Sequence, residues 1–373
     1  MKRLFIMLCV AAMLTVPALA AEPESVSAKA TVLMERETGT VIYAQNPDKQ
    51  LPPASVTKVM TMLLTAEALD NGTLSKDELV TVSAEAASMG GSQVYLEEGE
   101  QMTVDDLLKS VAVASGNDAS VALAEHIAGS HSAFVDRMNQ RAKELGMNHT
   151  HFSNCNGLPT KDHLTTAYDI ALMSRALLQH DVIRDYVSIW MDSIRDGSFQ
   201  LANTNKLIRA YPGATGLKTG STNEAGFCIS ASAERDGMEL IAVVLGSKTS
   251  AERFNSAKSM LDFGFSQYTL VDAAPEELPQ APVTLGDPET VQTELSGNCL
   301  VLVRKDQVDQ VEVEISVPET VAAPVKKGDS LGEVTVTVEG KTVKTVPLVA
   351  SQDVERLTFR GIFQRMWETM TMQ

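Results

Sequence analysis

The hydrophobic pattern of this chain changes period near residue 283, and that change decides which layers it can build. Beyond it, Val311-Glu312-Val313-Glu314-Ile315 and Val334-Thr335-Val336-Thr337-Val338 alternate apolar and polar residues. A period of two buries one face of a strand and leaves the other in water. A Glu339-Gly340 turn leads into a further alternating run from Thr342 to Val346, so residues 283 to 350 read as an all-β module of hairpins. Before the change, from 22 to 272, the pattern is mixed. Ser55 to Asp70 is helical and closed by Asn71-Gly72, whereas Ala30 to Met34 and Leu240 to Leu245 read as strands. Strand signals at both ends with helical runs between them predict that the terminal strands pair in one sheet. A helical cluster is then inserted between them, an α/β (α+β) arrangement. The proline-rich, acidic segment Ala273 to Pro288 reads as a linker. The β-module holds no histidine and no nucleophile in a suggestive setting, so it is assigned no catalytic role.

The two ends have their own character. Lys2 and Arg3 precede an apolar run from Leu4 to Val16 that is too short to cross a bilayer comfortably, and Ala18-Leu19-Ala20 follows with small residues. Residues 1 to 20 are therefore expected to be a secretory signal, with Ala21 first in an exported mature chain. At the other end, residues 351 to 373, Phe359, Ile362, Phe363, Met366, Trp367 and Met370 fall on one helical face. A terminal helix presenting Phe and Trp together is expected to lie in a membrane interface, with contact through residues 354–373. The charges of this tail balance, so attachment would rest on apolar burial.

Composition narrows the functions. The formal net charge of −17 argues against nucleic acid as a partner. Losing Cys9 with the signal leaves Cys155, Cys228 and Cys299, widely spaced and without a CxxC pair, so neither a disulfide framework nor a zinc site is expected. Each reads as a small buried apolar residue.

Three short motifs carry the chemistry. Ser55 and Lys58 stand at i and i+3 on the first turn of an apolar helix, so the amine can reach the hydroxyl. To accept a proton near neutral pH, Lys58 must lose roughly 3 pKa units, about 4 kcal/mol. Burial on that helix, with a second lysine nearby, would push in this direction. Ser115-Gly116-Asn117 closes a helical run from Val104 to Ala114; Ser115 could relay a proton to a leaving group and Asn117 could hold a substrate amide. Lys218-Thr219-Gly220 reads as a strand edge, where Lys218 and Thr219 could bind a carboxylate and Gly220 could let a substrate backbone approach. Each motif alone has a plain alternative: an N-cap serine, a turn, a glycine-rich hairpin.

Together, in this order and spacing, the three motifs resemble those of the penicillin-recognising serine enzymes. Nearly the whole mature chain, the β-module and the tail included, is similar to the serine D-alanyl-D-alanine carboxypeptidases, the low-molecular-mass penicillin-binding proteins. The resemblance implies a penicillin-binding, β-lactamase-like transpeptidase fold and residue roles. Ser55 would be acylated by the penultimate D-alanine of a peptidoglycan stem peptide, with Lys58 as base. Ser115, Asn117 and Lys218 would complete the proton network and orient the substrate beside Thr219 and Gly220. The backbone N–H groups of Ser55 and Ser221 would form the oxyanion hole, and Arg253 would lie near the substrate's terminal carboxylate. Water would release the product without a metal or organic cofactor, β-lactams would act as covalent inhibitors, and the tail would hold the enzyme on the outer face of the cytoplasmic membrane. One departure stands out: Cys155-Asn156-Gly157-Leu158 occupies a place where many members carry Pro-His-Gly-Leu.

Rival readings fare worse. A class A β-lactamase deacylates with a glutamate between the second and third motifs, and none occurs from Leu145 to Asn223. A Ser–His–Asp hydrolase lacks its GxSxG, and His149 and His151 have no acidic partner nearby in sequence that would make a metal site. A non-hydrolytic β-lactam sensor or wall-binding protein would not need all three motifs intact. Asp169, in Thr-Ala-Tyr-Asp, reads as structural.

Overall fold

The computed structural model describes residues 22–371; the expected signal at 1–20 lies outside the described residues. Five strands form the central sheet: β1 (Ala30–Glu35), β2 (Val41–Gln45), β3 (Ala214–Thr222), β4 (Gly226–Arg235) and β5 (Met238–Ser247). Their order is β2-β1-β5-β4-β3, antiparallel throughout. Ala30 faces Leu245 and Met34 faces Ile241, so the two ends of the region pair side by side as the sequence predicts. β1 and β5 are buried along their whole length, because the sheet is covered on both faces.

The cluster inserted between β2 and β3 is built on α1 (Lys58–Asp70), with α2 (Asn117–Ala128), α3 (His131–Glu144) and α4 (Ala167–Leu177) packed against it. Nine of its residues from Lys58 to Ala68 are buried. A helix that is apolar nearly all round belongs in a core. The opposite face of the sheet is covered by α5 (Ser250–Gln267), which sits close because Gly264 presents no side chain. A Cβ there would lie 2.5 Å from Leu240 Cδ1 and 3.1 Å from Leu33 Cδ2.

The segment read as a linker is partly strand. Gln280–Thr284 pairs with Thr290–Leu295, Ala281 opposite Val291. Ala281 and Val283 point inward while Pro282 points out, an alternation that the prolines mask in the sequence. β-structure also begins earlier than expected, since Tyr268–Asp272 leaves α5 directly and pairs with Leu300–Arg304. A six-stranded sheet completes the region, with Ser330–Val338 and Lys341–Ala350 as its central hairpin. Glu339 and Gly340 both take positive φ (51° and 72°), as a two-residue turn between twisted strands demands. Val334, Val336, Val346 and Leu348 supply its inner face.

The expected tail contact from residue 354 also needs correction. Val354 is fully buried and Glu355–Arg356 pairs with Gly286–Asp287. These residues belong to the β-region, and the amphipathic element starts at α6 (Phe359–Thr371).

Gly264→Ala is expected to destabilise the protein by about 1–3 kcal/mol through overpacking. A calorimetric melt of the variant checks this; an unchanged midpoint would mean that α5 is not seated on Leu33 and Leu240.

Candidate active site

Ser55 lies in a 3-10 turn, Ala54–Thr57, that feeds into α1. Neither helix start carries a side-chain cap, so the Ser55 hydroxyl is not spent as an N-cap. The turn is gripped from two sides by glycines. On β3, a Cβ at Gly220 would lie 2.7 Å from Ser55 N and 2.9 Å from both Pro53 O and Val56 N. On the other side, Gly157 has a φ of +85°, and a Cβ there would overlap the Ala54 carbonyl. The bareness of Gly220, expected to admit substrate, is thus required by the protein's own turn.

Lys58 is fully buried. Its Nζ donates to Asn117 Oδ1 (2.6 Å), to the Asn156 carbonyl (2.7 Å) and to Ser55 Oγ (3.2 Å). Burial brings its pKa down to about 7, against an opposing pull from Cys155 and Asp118. Burial also pushes the Cys155 thiol up to about 12, so it is neutral near pH 7 and Asp118 is the effective negative neighbour. That carboxylate is itself occupied by the backbone N–H groups of Val94 (3.0 Å) and Leu96 (3.1 Å). The expected push of a second lysine falls on Lys218 instead: burial, then Lys58, then Arg253 hold Lys218 well below the usual lysine range.

Ser115 caps a π-helical turn, Ser110–Ala114, that follows the short helix Val104–Lys109. It takes a left-handed φ of 63°, unusual for a residue other than glycine. Its hydroxyl is buried and has no hydrogen-bond partner among the described residues, a donor and acceptor held in reserve. Asn117 departs from its expected role. Its oxygen receives Lys58, and its Nδ2 donates to the Gly90 carbonyl (2.6 Å). In this structure it orients Lys58 rather than offering its amide to a substrate. Among the described residues Lys218 Nζ donates to the Thr219 carbonyl (3.2 Å), and Thr219 Oγ1 donates to Thr204 Oγ1 (2.7 Å).

Arg253 is also placed differently from expectation. It is buried behind β3, where Nη1 donates to the carbonyls of Gly220 (3.2 Å) and Cys228 (3.1 Å) and the guanidinium lies over the Phe227 and Phe254 rings. It braces the strand edge from behind. Ser221, by contrast, is exposed.

Sequence reasoning missed the Asn156 carbonyl, Gly157, Asp118 and Asn154. Asn154 Oδ1 accepts from Gly157 N (2.7 Å) and Asn156 N (3.3 Å), closing the turn that presents the carbonyl. The Asn156-Gly157 pair signals a tight turn, but not what the turn delivers. Asp169 is structural as read, accepting from His149 N (3.0 Å) and Thr150 Oγ1 (2.6 Å). The three described cysteines are buried and free.

A family model for D-alanyl-D-alanine carboxypeptidase (peptidase S11) matches residues 17–249. The chain belongs to this family. A second model, for the C-terminal domain of penicillin-binding protein 5, matches residues 265–356. Among curated carboxypeptidases, DacF of Bacillus subtilis is 42% identical over 344 residues, covering 91% of this chain and 88% of that one. DacA of Escherichia coli is 30% identical, covering 90% and 86%. Penicillin-binding protein 5 of Haemophilus influenzae superimposes with a TM-score of 0.81 at 29% identity, over 90% of this chain and all (100%) of that one. Penicillin-binding protein D2 of Listeria monocytogenes, in a cefotaxime-bound form, gives 0.60 at 34% identity, over 64% and 98%. In this carboxypeptidase Asn117 of the second motif reaches Lys58 of the first, and Gly220 of the third packs on the turn that carries Ser55.

Gly157→Ala should displace the Ala54 carbonyl and with it Ser55, lowering acylation by a fluorescent penicillin on the order of a hundredfold. Labelling at the unaltered rate would show that the two segments are not in contact.

Proposed function

We propose that the chain is a serine carboxypeptidase that removes the terminal D-alanine from peptidoglycan stem pentapeptides through an acyl-enzyme on Ser55. The observation that carries this reading is a fully buried Lys58, with a pKa near 7, 3.2 Å from Ser55 Oγ. An ordinary lysine amine would cost about 5 kcal/mol to deprotonate at pH 7, and burial in the folded chain has already removed that barrier. Ser55 Oγ attacks the carbonyl of the penultimate D-alanine and its proton passes to Lys58 Nζ. The oxyanion is held by the backbone N–H groups of Ser55 and Ser221. The unpartnered Ser115 hydroxyl relays a proton to the nitrogen of the departing D-alanine as the peptide bond breaks. Lys218 and Thr219 take the terminal carboxylate, and Arg253 supports them from behind the strand. Water then cleaves the ester.

β-Lactams would enter by the same attack and leave slowly. No glutamate occurs from Leu145 to Asn223, and Asp118, which bears on Lys58, is taken by backbone amides. The signal-like start and the tail support an exported enzyme on the wall side of the cytoplasmic membrane. On α6, Phe359 is 87% and Phe363 and Trp367 are each 64% exposed, an uncovered apolar face suited to the membrane interface. No described helix is long and apolar enough to cross a membrane. The catalytic unit, the β-module and the tail, expected at 22–272, 283–350 and 351–373, are better divided near 268 and after Leu357.

Incubation of the mature protein with diacyl-Lys-D-Ala-D-Ala should release D-alanine, and Ser55→Ala should abolish release while leaving the fold intact. A fluorescent penicillin should label Ser55 and stay attached. Labelling without D-alanine release would favour the sensor, and rapid turnover of the penicillin a β-lactamase.

Truncation after Leu357 should free the protein from membrane vesicles with peptide hydrolysis retained. A truncated protein that stays bound would overturn the interfacial role of α6.

A further inference from the structure

The loop Phe152–Leu158 supplies the carbonyl that receives Lys58, and the turn Ala54–Thr57 carries Ser55. These two segments are about a hundred residues apart in sequence (Asn156 lies 98 from Lys58), yet their relative position sets the geometry of attack. Gly157 packed against the Ala54 carbonyl stops them from moving closer. A stop alone does not hold two segments together.

His163 provides the tie. It is 2% exposed and stacks edge-on against Phe152, ring centroids 5.8 Å apart. Its Nδ1 accepts the N–H of Ser153 (2.9 Å), which leaves the ring proton on Nε2. Nε2 is 2.7 Å from Thr57 Oγ1, and Thr57 Oγ1 donates to the Ala54 carbonyl (2.8 Å). One imidazole therefore spans from the loop holding the Lys58 acceptor to the turn holding the nucleophile, and ends on the same carbonyl that Gly157 presses against. Burial, with a smaller push from nearby His151, lowers the His163 pKa to about 4. The ring therefore stays neutral through the range in which Lys58 titrates. A second imidazole acts on the same loop: His131 Nε2 accepts from Cys155 N (3.3 Å) while its Nδ1 faces Glu85 Oε1 (2.7 Å).

The geometry points to His163 as a positioning residue of the acylation site, whose neutral imidazole joins the Asn156 loop to the Ser55 turn and so sets Ser55 against Lys58. This rests on the acyl-transfer reading above. It assigns the histidine no proton transfer and no contact with substrate.

The test compares His163→Phe, which keeps a flat ring but neither hydrogen bond, with Thr57→Val, which cuts the far end of the bridge. The readout is the rate constant for acylation by a fluorescent penicillin at a pH where Lys58 is neutral, per mole of folded protein. Both variants should be slower, on the order of tenfold to a hundredfold, and the double variant should be no slower than the slower single one. Melts run alongside separate a structural role: a lower melting midpoint with the full acylation rate would overturn the inference. Nitrogen NMR of the imidazoles in the wild type should show His163 protonated at Nε2 and bare at Nδ1; the opposite tautomer would also overturn it. If His163→Phe does not fold, Thr57→Val and the tautomer decide. A wild type that is not acylated at all would instead sink the acyl-transfer reading.

Discussion

Everything at the centre of this molecule is arranged around one amine that has been taken out of water. An ammonium buried without compensation is expensive, and the group responds by losing its proton more readily. Lys58 is fully buried with no carboxylate among the described residues in hydrogen-bond contact, and as a neutral amine its two N–H groups are taken by Asn117 Oδ1 and the Asn156 carbonyl, leaving its lone pair for the Ser55 hydroxyl. Each feature of the surrounding fold serves the same end. α1 is buried nearly all round so that its first residue is dry. Two glycines let β3 and the Asn156 loop close directly on the turn. Asn117 spends its carboxamide on orientation, and Asp118 next to it pins the loop at Val94 and Leu96.

That arrangement explains how far the sequence could be read. The Ser55–Lys58 spacing is a helical relation within one segment, so it is visible in the letters. So are the pairing of the region's two ends and the Glu339-Gly340 hairpin, because each follows from a local period or a turn preference. The Asn156 carbonyl is not visible, since a backbone acceptor has no side-chain signature and the contact joins distant segments. The same reason hides the true burden on Gly220 and Gly157, which is set by what packs against them. A substrate role for Asn117 follows from its amide and one for Arg253 from the family resemblance; the structure shows their donors and acceptors mostly taken by protein groups. The linker was misjudged because prolines outweighed the alternation of Ala281 and Val283.

The β-region is attached as more than an appendage. Tyr268–Asp272 continues straight from α5 into a strand of that region, Lys305 Nζ donates to the Phe265 carbonyl (2.8 Å), and Asn298 Nδ2 reaches Glu37 (3.0 Å). Under the proposed function, this connection joins the unit that holds Ser55 to the region that leads into the exposed amphipathic helix α6, so that the enzyme can work on wall peptides while attached to a membrane surface.

The central claim is that Lys58 loses its proton near neutral pH and so can serve as the base, and its own titration tests that most directly. Carbon NMR of the lysine Cε resonances, assigned by comparison with Lys58→Arg, would follow the charge on this side chain. The account predicts a midpoint near 7, with the acylation rate of Ser55 full above it and lost as the pH falls through it, because the ammonium cannot accept the serine proton. A midpoint near the ordinary lysine value of about 10.5, with acylation still fast at neutral pH, would contradict it.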